Sequence, residues 1–447
     1  ESNQVINYYM KLIHGNDYEL PKRILPKHFI GPNSQTLQID NILLDNPNLN
    51  VPNIRTNYTV TDKADGSRKL LYISEDGRIY LIDMNMNVMF TGTKTIEPTI
   101  YNSLIDGEHI KFDKEGKFIN LYAAFDIYYI NMKSVREMPF IVNDMINENN
   151  PNYRLHKLNR LIELINPVYT GDSTKLIDFK IKCKTFYNDT DSRQIFEGCS
   201  KIIENINDGL YEYNTDGLIF TPSLLAVGGN VENGPAGPTT KFSWKHSFKW
   251  KPPEFNTIDF LVSVKKNKSG RDEIHHTFQD GHKLNDAQTI LQHKTLILMC
   301  GFDKIRDLHI NPGLSITNDY VNNNEDNTSQ ESSYIPVPFQ PTNPYDEHAH
   351  LCNIMLYDDG TKLYMKTEED EYFEEDMIVE FKYIMENKLG WRWVPIRVRY
   401  DKTAELRSKL RNYGNSYQVA NNNWHSIHNP IHESMITTGN NIPESLN

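Results

Sequence analysis

The sequence predicts an α+β fold in two main domains, and three observations predict it. Strand-like stretches run from residue 58 to 130 around a Glu75-Asp76-Gly77 turn, two amphipathic helical stretches follow, and a Pro252-Pro253 pair separates this block from a series of short strands. With 447 residues the chain has room for two or three domains with their own cores. A mean hydropathy of −0.60 with 38% hydrophobic and 11% aromatic residues still supplies the large apolar side chains those cores need, which excludes disorder throughout.

Residues 1–50 read as a lead-in segment that packs on the following domain, with a helix-like apolar stretch at 5–13. Strands are expected at 58–61, 69–73 and 78–82, the last two joined as a hairpin by the Asp-Gly turn, and then at 104–112 and 118–130. Leu155, Leu158, Ile162 and Ile165 recur at three- and four-residue spacing, which is one face of a helix. Ile195, Cys199, Ile202, Ile203 and Ile206 repeat the pattern behind a polar start at 189–192. Strands at 179–187, 218–221 and 247–250 complete a domain of residues 51–253, while Gly228-Gly229 to Gly237 reads as a flexible loop.

Proline has no N–H and a fixed φ, so Pro252-Pro253 interrupts either kind of regular structure and is read as a hinge. Residues 254–402 carry short strands at 260–264, 353–357, 362–365 and 378–383 and a polar insert near 318–333, the pattern of a small β-barrel of OB-fold type. Residues 403–447 read as one C-terminal helix at 403–412 followed by a linker.

Composition limits the function. The 47 basic and 59 acidic residues give a net charge of −12, so bulk charge cannot hold this chain on nucleic acid and any such contact must be local. The longest apolar run, 296–300, is far too short for a bilayer and the N-terminus lacks a signal-peptide pattern, so no membrane partner and an intracellular location are expected. Cys183, Cys199, Cys300 and Cys352 form no C-x-x-C pair and are expected as free thiols. His275-His276 lack a third ligand at metal-binding spacing and read as exposed barrel residues.

The chemistry-bearing residues come in a fixed order. Lys63-Ala64-Asp65-Gly66-Ser67-Arg68 places a lysine beside a tight turn, with an arginine two residues past the glycine. A lysine attacks phosphorus only as the neutral amine, and the cations Arg68, Lys249 and Lys251 are expected to press its pKa down. Asp106-Gly107-Glu108, Phe125-Asp126, Asp216-Gly217-Leu218-Ile219-Phe220, Lys249-Trp250-Lys251-Pro252 and Arg397-Val398-Arg399-Tyr400-Asp401-Lys402 follow. Lys249 and Lys251 share strand parity and so point the same way, as a two-lysine phosphate clamp requires. Trp250 between them reads as core packing.

This ordered set resembles the covalent nucleotidyltransferase superfamily and, within it, the messenger RNA guanylyltransferases or capping enzymes, over residues 30–402. The resemblance implies an adenylation-type nucleotidyltransferase domain of antiparallel sheets and helices followed by the OB-fold domain. It implies Lys63 as the nucleophile that forms a lysine–GMP phosphoramidate from GTP, with Arg68, Lys249 and Lys251 as further catalytic groups on the nucleotide's phosphates. Asp65 and Glu108 are implied in nucleotide binding, Phe125 in stacking on guanine, and Asp216 with Glu108 in holding Mg²⁺ or Mn²⁺. Trp393, Arg397, Arg399, Asp401 and Lys402 resemble the barrel element whose basic groups orient the leaving pyrophosphate. The implied acceptor is RNA with a 5′-diphosphate end.

Two other readings share these residues. An ATP-dependent RNA or DNA ligase would use the same lysine to carry AMP, but the Lys-Trp-Lys-Pro hinge and the terminal Arg-x-Asp-Lys resemble capping enzymes more closely. A non-catalytic RNA-binding scaffold would have to keep Lys63, Asp216, Lys249, Lys251 and Asp401 without use. Because the chain starts at Glu1 and its last residues resemble the connector before a cap methyltransferase, the expectation is a longer parent with fused triphosphatase and methyltransferase domains. A large DNA virus is the expected source, with the virion or a cytoplasmic viral factory as the place of action.

Overall fold

The computed structural model describes residues 2–44, 50–142, 152–171, 178–189, 194–278, 290–307 and 333–443. The chain falls into two compact units, Glu1–Pro252 with Ile431–Asn447, and Pro253–Pro430. Among the described residues no helix is long and apolar enough to cross a membrane.

In the first unit α1 (Ser2–His14) precedes β1 (Asn33–Thr36), β2 (Tyr58–Ala64), β3 (Ser67–Ile73), β4 (Arg78–Asp83), β5 (Val88–Lys94), β6 (Ser103–Phe112), β7 (Phe118–Ile130) and β8 (Lys133–Ser134). Then come α2 (Arg154–Ile165), β9 (Val168–Tyr169), β10 (Lys180–Cys183), β11 (Tyr187–Asn188), α3 (Ile195–Asn207), β12 (Thr215–Pro222) and β13 (Ser243–Trp250). They build a five-stranded sheet in the order β1-β13-β12-β2-β11 and an eight-stranded sheet in the order β10-β7-β6-β3-β4-β5-β9, with β8 on β7.

Both faces of the larger sheet are covered. Leu71, Ile73 and Tyr122 pack with Leu158 and Leu161 of α2, while Leu70, Tyr72 and Ile82 pack with Val5, Tyr9 and Met10 of α1. Burial on both sides explains why 70–73 is an unbroken apolar run instead of an alternating one. On the smaller sheet, Val60, Leu218, Phe220 and Phe248 pack against Cys199 and Ile202 of α3, leaving the opposite face of β2, β12 and β13 for polar groups.

The second unit contains β14 (Thr257–Val264), β15 (Ile274–Phe278), β16 (Ile290–Asp303), β17 (Tyr334–Pro338), β18 (Leu351–Met355), β19 (Tyr357–Asp358), β20 (Leu363–Lys366), β21 (Tyr372–Phe373), β22 (Ile378–Tyr383) and β23 (Trp393–Val398). Two helices follow, α4 (Tyr400–Arg407) and α5 (Tyr417–His428). The long β16 pairs along its length with β15 and β14 and also with β18 and β17, and one strand shared by four partners curls the sheet. The curl closes on an aromatic core of Phe260, Phe381, Trp393 and Trp424.

The structure corrects several expectations. Residues 403–443 are not one helix and a linker. Beyond α4, Tyr417, Ala420 and Trp424 of α5 enter the second unit's core. Ile431 and Ile436, the latter in α6 (Glu433–Thr438), enter the α3 core of the first unit. Asparagine-rich composition hid the helical spacing of these few apolar residues. The strand expected at 179–187 is two strands, because the chain leaves the larger sheet at Cys183 and joins the smaller one at Tyr187. The glycine loop at 228–237 is tied down, with Trp244 Nε1 donating to the Gly229 carbonyl at 2.8 Å and Arg136 Nη2 to the Gly237 carbonyl at 2.9 Å. The insert near 318–333, except for Ser333, and most of the polar start at 189–192 lie outside the described residues.

Candidate active site

The Lys63–Arg68 segment is the corner between the two sheets of the first unit. Lys63 lies near the end of β2, Asp65-Gly66 makes the turn, and Arg68 is the second residue of β3 in the other sheet. A side chain at position 66 would place its Cβ 2.8 Å from the His109 carbonyl and 2.9 Å from Glu108 Cγ, so only glycine lets β6 pass this close beneath the turn.

Register fixes the direction of the lysines. Lys249 pairs with Ile219 and Ile219 with Thr61, two residues before Lys63, while Val60, Phe220 and Phe248 turn to the α3 core. Lys249 and Lys63 therefore share the polar face of the smaller sheet. Lys251, just past β13, has the same parity. Asp216 connects the set: its Oδ1 is 2.7 Å from Lys63 Nζ and its Oδ2 is 2.9 Å from Lys251 Nζ. Burial would raise the Asp216 carboxyl, but Lys251 and Lys63 outweigh it and hold its pKa below the ordinary value. The carboxylate of Asp216 thus sits between Lys63 and Lys251. Gly217 makes this approach possible: its φ is +152°, and a Cβ there would lie 1.9 Å from the Trp250 carbonyl.

In the larger sheet, Arg68 pairs in register with Glu108. Its guanidinium donates from Nε to Asp106 Oδ1 at 3.1 Å, from Nη2 to Asp106 Oδ2 at 2.6 Å, and from Nη1 to the Pro32 carbonyl at 2.9 Å. Burial opposes its charge, but Asp106 more than compensates and the pKa is raised. Tyr128 Oη also donates to Asp106, which is fully buried. Glu108 is different: burial pushes its pKa up to about 7, against the pull of Lys184, Arg68 and Lys63.

Phe125 occupies a β-bulge. Gly107 pairs with Ala124 and Asp106 with Asp126, so Phe125 is the extra residue. Arg68 Cζ lies 5.7 Å from its ring centre and 5.4 Å from that of Phe29. Asp65 is exposed at the corner, and its backbone N–H donates to the Asn214 carbonyl at 2.8 Å.

The remaining expected residues belong to the second unit, where each basic group meets a carboxylate. Arg399 Nη1 and Lys402 Nζ lie 2.6 and 2.7 Å from Asp259 Oδ2, Arg399 also pairs with Asp401, and Arg397 Nε is 2.6 Å from Glu380. Trp393 is a core residue whose Nε1 donates to the Ala349 carbonyl at 2.7 Å. Sequence reasoning missed Asp106, Tyr128 and Asp259. Asp106 stood inside the Asp-Gly-Glu segment, while Tyr128 gave no signal, because only the bulge returns it to the side of Asp106.

A divalent ion fits the donor set. Asp216 and Glu108 are oxygen donors, and a buried carboxyl with a pKa near 7 ionises readily once a cation approaches. Among the described residues no three His, Cys, Asp or Glu side chains cluster to cage an ion alone, so phosphate oxygens would have to complete its shell.

The site thus sets the Lys63 amine on the polar face of one sheet, joined to Lys251 through Asp216, with Arg68 anchored by Asp106 in the adjoining sheet. Residues 42–253 match the family model described as mRNA capping enzyme, catalytic domain. The chain is 28% identical over 433 residues to a probable mRNA-capping enzyme of Acanthamoeba polyphaga mimivirus, covering 90% of this chain and 33% of that protein. The mRNA-capping enzyme of Mus musculus is 27% identical over 46% of this chain and 31% of its own length. That of African swine fever virus is 23% identical over 84% of this chain and 34% of its own length. The chain thus spans about a third of the length of these curated relatives. Among solved structures, the ligase domain from M. tuberculosis LigD covers 85% of this chain and 98% of its own at 11% identity and a TM-score of 0.31, a likeness too weak to bear on function.

Proposed function

We propose that the chain is an mRNA guanylyltransferase that carries GMP on Lys63 from GTP to the 5′-diphosphate end of RNA. The observation that carries this reading is the pairing of Lys63 and Lys251 through one carboxylate, Asp216, on the face shared with Lys249. The capping-enzyme relatives of viral and animal origin support it.

In the first step the neutral Lys63 amine attacks the α-phosphorus of GTP. The N–P bond forms, the bond from α-phosphorus to the α–β bridging oxygen breaks, pyrophosphate leaves with that electron pair, and Nζ gives up a proton. Lys249 and Lys251 present positive charge to the α-phosphate oxygens, where negative charge grows. Arg68 is already fixed by Asp106, so it meets the nucleotide without reorganising. Phe125, lifted by its bulge, offers a ring face to the base. In the second step a terminal phosphate oxygen of the RNA attacks the same phosphorus, the N–P bond breaks, and Lys63 recovers its proton. Asp216 and Glu108 would hold Mg²⁺ or Mn²⁺, which supplies charge neutralisation of the phosphates. In the second unit, Arg397, Arg399, Asp401 and Lys402 are assigned to the leaving pyrophosphate, and Asp65 to the nucleotide.

The relatives extend well beyond the matched region, which leaves room for fused triphosphatase and methyltransferase domains. The viral relatives favour a virion or viral factory as the place of action. Incubation with α-labelled GTP or ATP separates this reading from a ligase. Covalent label from GTP that chases onto diphosphate-ended RNA is the expected result, and label from ATP alone would assign the chain to the ligases.

A further inference from the structure

The second unit carries an aromatic face with no part in the site above. β15 and β16 pair His275 with His293, and the two rings stack at 5.2 Å. The His293 ring lies 5.0 Å from the indole of Trp391. Trp391 in turn lines a cavity of about 300 Å³ that also receives Tyr357, Asn353 and Asn387. Register places these groups on one side of the sheet, since His293 pairs with Met355 and Thr295 with Asn353, while Leu296 and Cys352 turn to the core.

The surroundings point to a ligand with flat rings and negative charge. Lys366 lines the same cavity, with its Nζ 5.4 Å over the Tyr357 ring and 2.5 Å from the exposed carboxylate of Asp370, which a phosphate would have to displace. At the other end of the row, Lys265 lies 3.4 Å from Glu273, which also meets His275 at 3.6 Å, so Lys265 joins this face. It opens an exposed excursion between β14 and β15 that also carries Lys268 and Arg271. The one carboxylate in the cavity, Glu368, is paired with Lys382 at 2.7 Å. Burial, and then the neighbouring His275 and His276, hold His293 below its ordinary pKa, which keeps its ring neutral and fit for stacking.

We propose that this face binds single-stranded RNA, with bases stacking along His275, His293 and Trp391, one base entering the cavity between Trp391 and Tyr357, and phosphates meeting Lys265, Arg271 and Lys366. Ring faces accept any unpaired base, the Asn353 and Asn387 amides can meet a base edge, and the local cations supply contact that a chain of charge −12 lacks overall. The cavity stands at the small end of ligand pockets, which suits a single base. The proposal rests on the reading that the chain is a guanylyltransferase with RNA as acceptor; GMP–lysine formation without RNA tests the first half of that reading separately, and transfer to diphosphate-ended RNA the second.

Of the five tryptophans, Trp244, Trp250, Trp393 and Trp424 are buried, so a solute that stacks on indole meets Trp391. Short oligoadenylate titrated into the full chain should quench tryptophan fluorescence, and a base-paired duplex of equal length should quench far less. Trp391→Ala should raise the Kd for the single strand about ten-fold, the scale of one stacked base. Trp391→Phe should restore most of the affinity while abolishing the quench. The His275 side chain is 41% exposed and outside the second unit's core, so His275→Ala should leave the fold intact and weaken binding several-fold. Single-strand affinity within two-fold of wild type in both alanine variants, or equal quenching by the duplex, would overturn the proposal. Intact GMP–lysine formation in these variants with impaired transfer to RNA is the expected accompaniment.

Discussion

Asp106 grips the guanidinium of Arg68 through two hydrogen bonds, of 3.1 Å from Nε and 2.6 Å from Nη2. The carboxylate is fully buried and also accepts a hydrogen bond from Tyr128 Oη. The anchored arginine is therefore a product of three strands: Arg68 from β3, Asp106 from β6 and Tyr128 from β7.

Asp106→Asn leaves the guanidinium without its counter-charge and is expected to lower stability by roughly 3–5 kcal/mol. Tyr128→Phe removes one hydrogen bond to a charged group and should cost about 1.5–3 kcal/mol. Urea unfolding midpoints measure both, and the two should also raise the KM for GTP, because the arginine loses its fixed position. Equal KM values in wild type and Tyr128→Phe would show that the arginine needs no such support.

Asp216→Asn keeps the shape of the lysine bridge but removes the charge shared by Lys63 and Lys251. The side chain is only 26% exposed and its charge is shared by two lysines, so stability should fall by about 1–3 kcal/mol. Adduct formation in a single turnover is expected to slow by about 100-fold or more, the scale of losing a preorganised electrostatic contact. A loss of less than about five-fold would remove Asp216 from the reaction.

Glu108 titrates near 7 in the folded chain, against an ordinary 4.5, because it is buried. The folded state therefore binds more protons than the unfolded state between these values, and stability falls as pH rises from about 4.5 to 7 and then levels off. Glu108→Gln should flatten that slope in unfolding experiments. Mn²⁺ binding, followed by electron paramagnetic resonance, should strengthen from pH 6 to pH 8 in wild type and lose this pH dependence in the variant.

The C-terminal segment is structural. Trp250 Nε1 donates to the Ile431 carbonyl at 2.8 Å, and Ile436 is fully buried against α3. Ile436→Ala should destabilise the first unit by about 2–5 kcal/mol. A change below about 0.5 kcal/mol would restore the linker reading.

What was legible in the sequence followed from local chemistry. The Asp-Gly turn placed the β3–β4 hairpin, three- and four-residue spacing placed α2 and α3, and the proline pair fell at the boundary between units. The order of Lys63, Asp216, Lys249 and Lys251 was visible too, as was the shared parity of the last two. The rest depended on pairing over long sequence distances. Nothing near Arg68 announces Asp106 as its anchor, since 38 residues separate them. The bulge at Phe125 exists only through the register of β6 against β7. In the second unit, Asp259 lies 140 residues from Arg399, so nothing within the Arg-x-Asp-Lys run shows that its arginine and lysine are already paired.

Every role proposed above depends on Lys63 as the residue that carries the nucleotide. Peptide mapping by mass spectrometry after incubation with GTP and a divalent ion tests it most directly. An acid-labile GMP adduct is expected on the peptide containing Lys63, absent from Lys63→Ala and much reduced in Lys251→Ala. A GMP adduct on another lysine, or an undiminished adduct in Lys63→Ala, would contradict it.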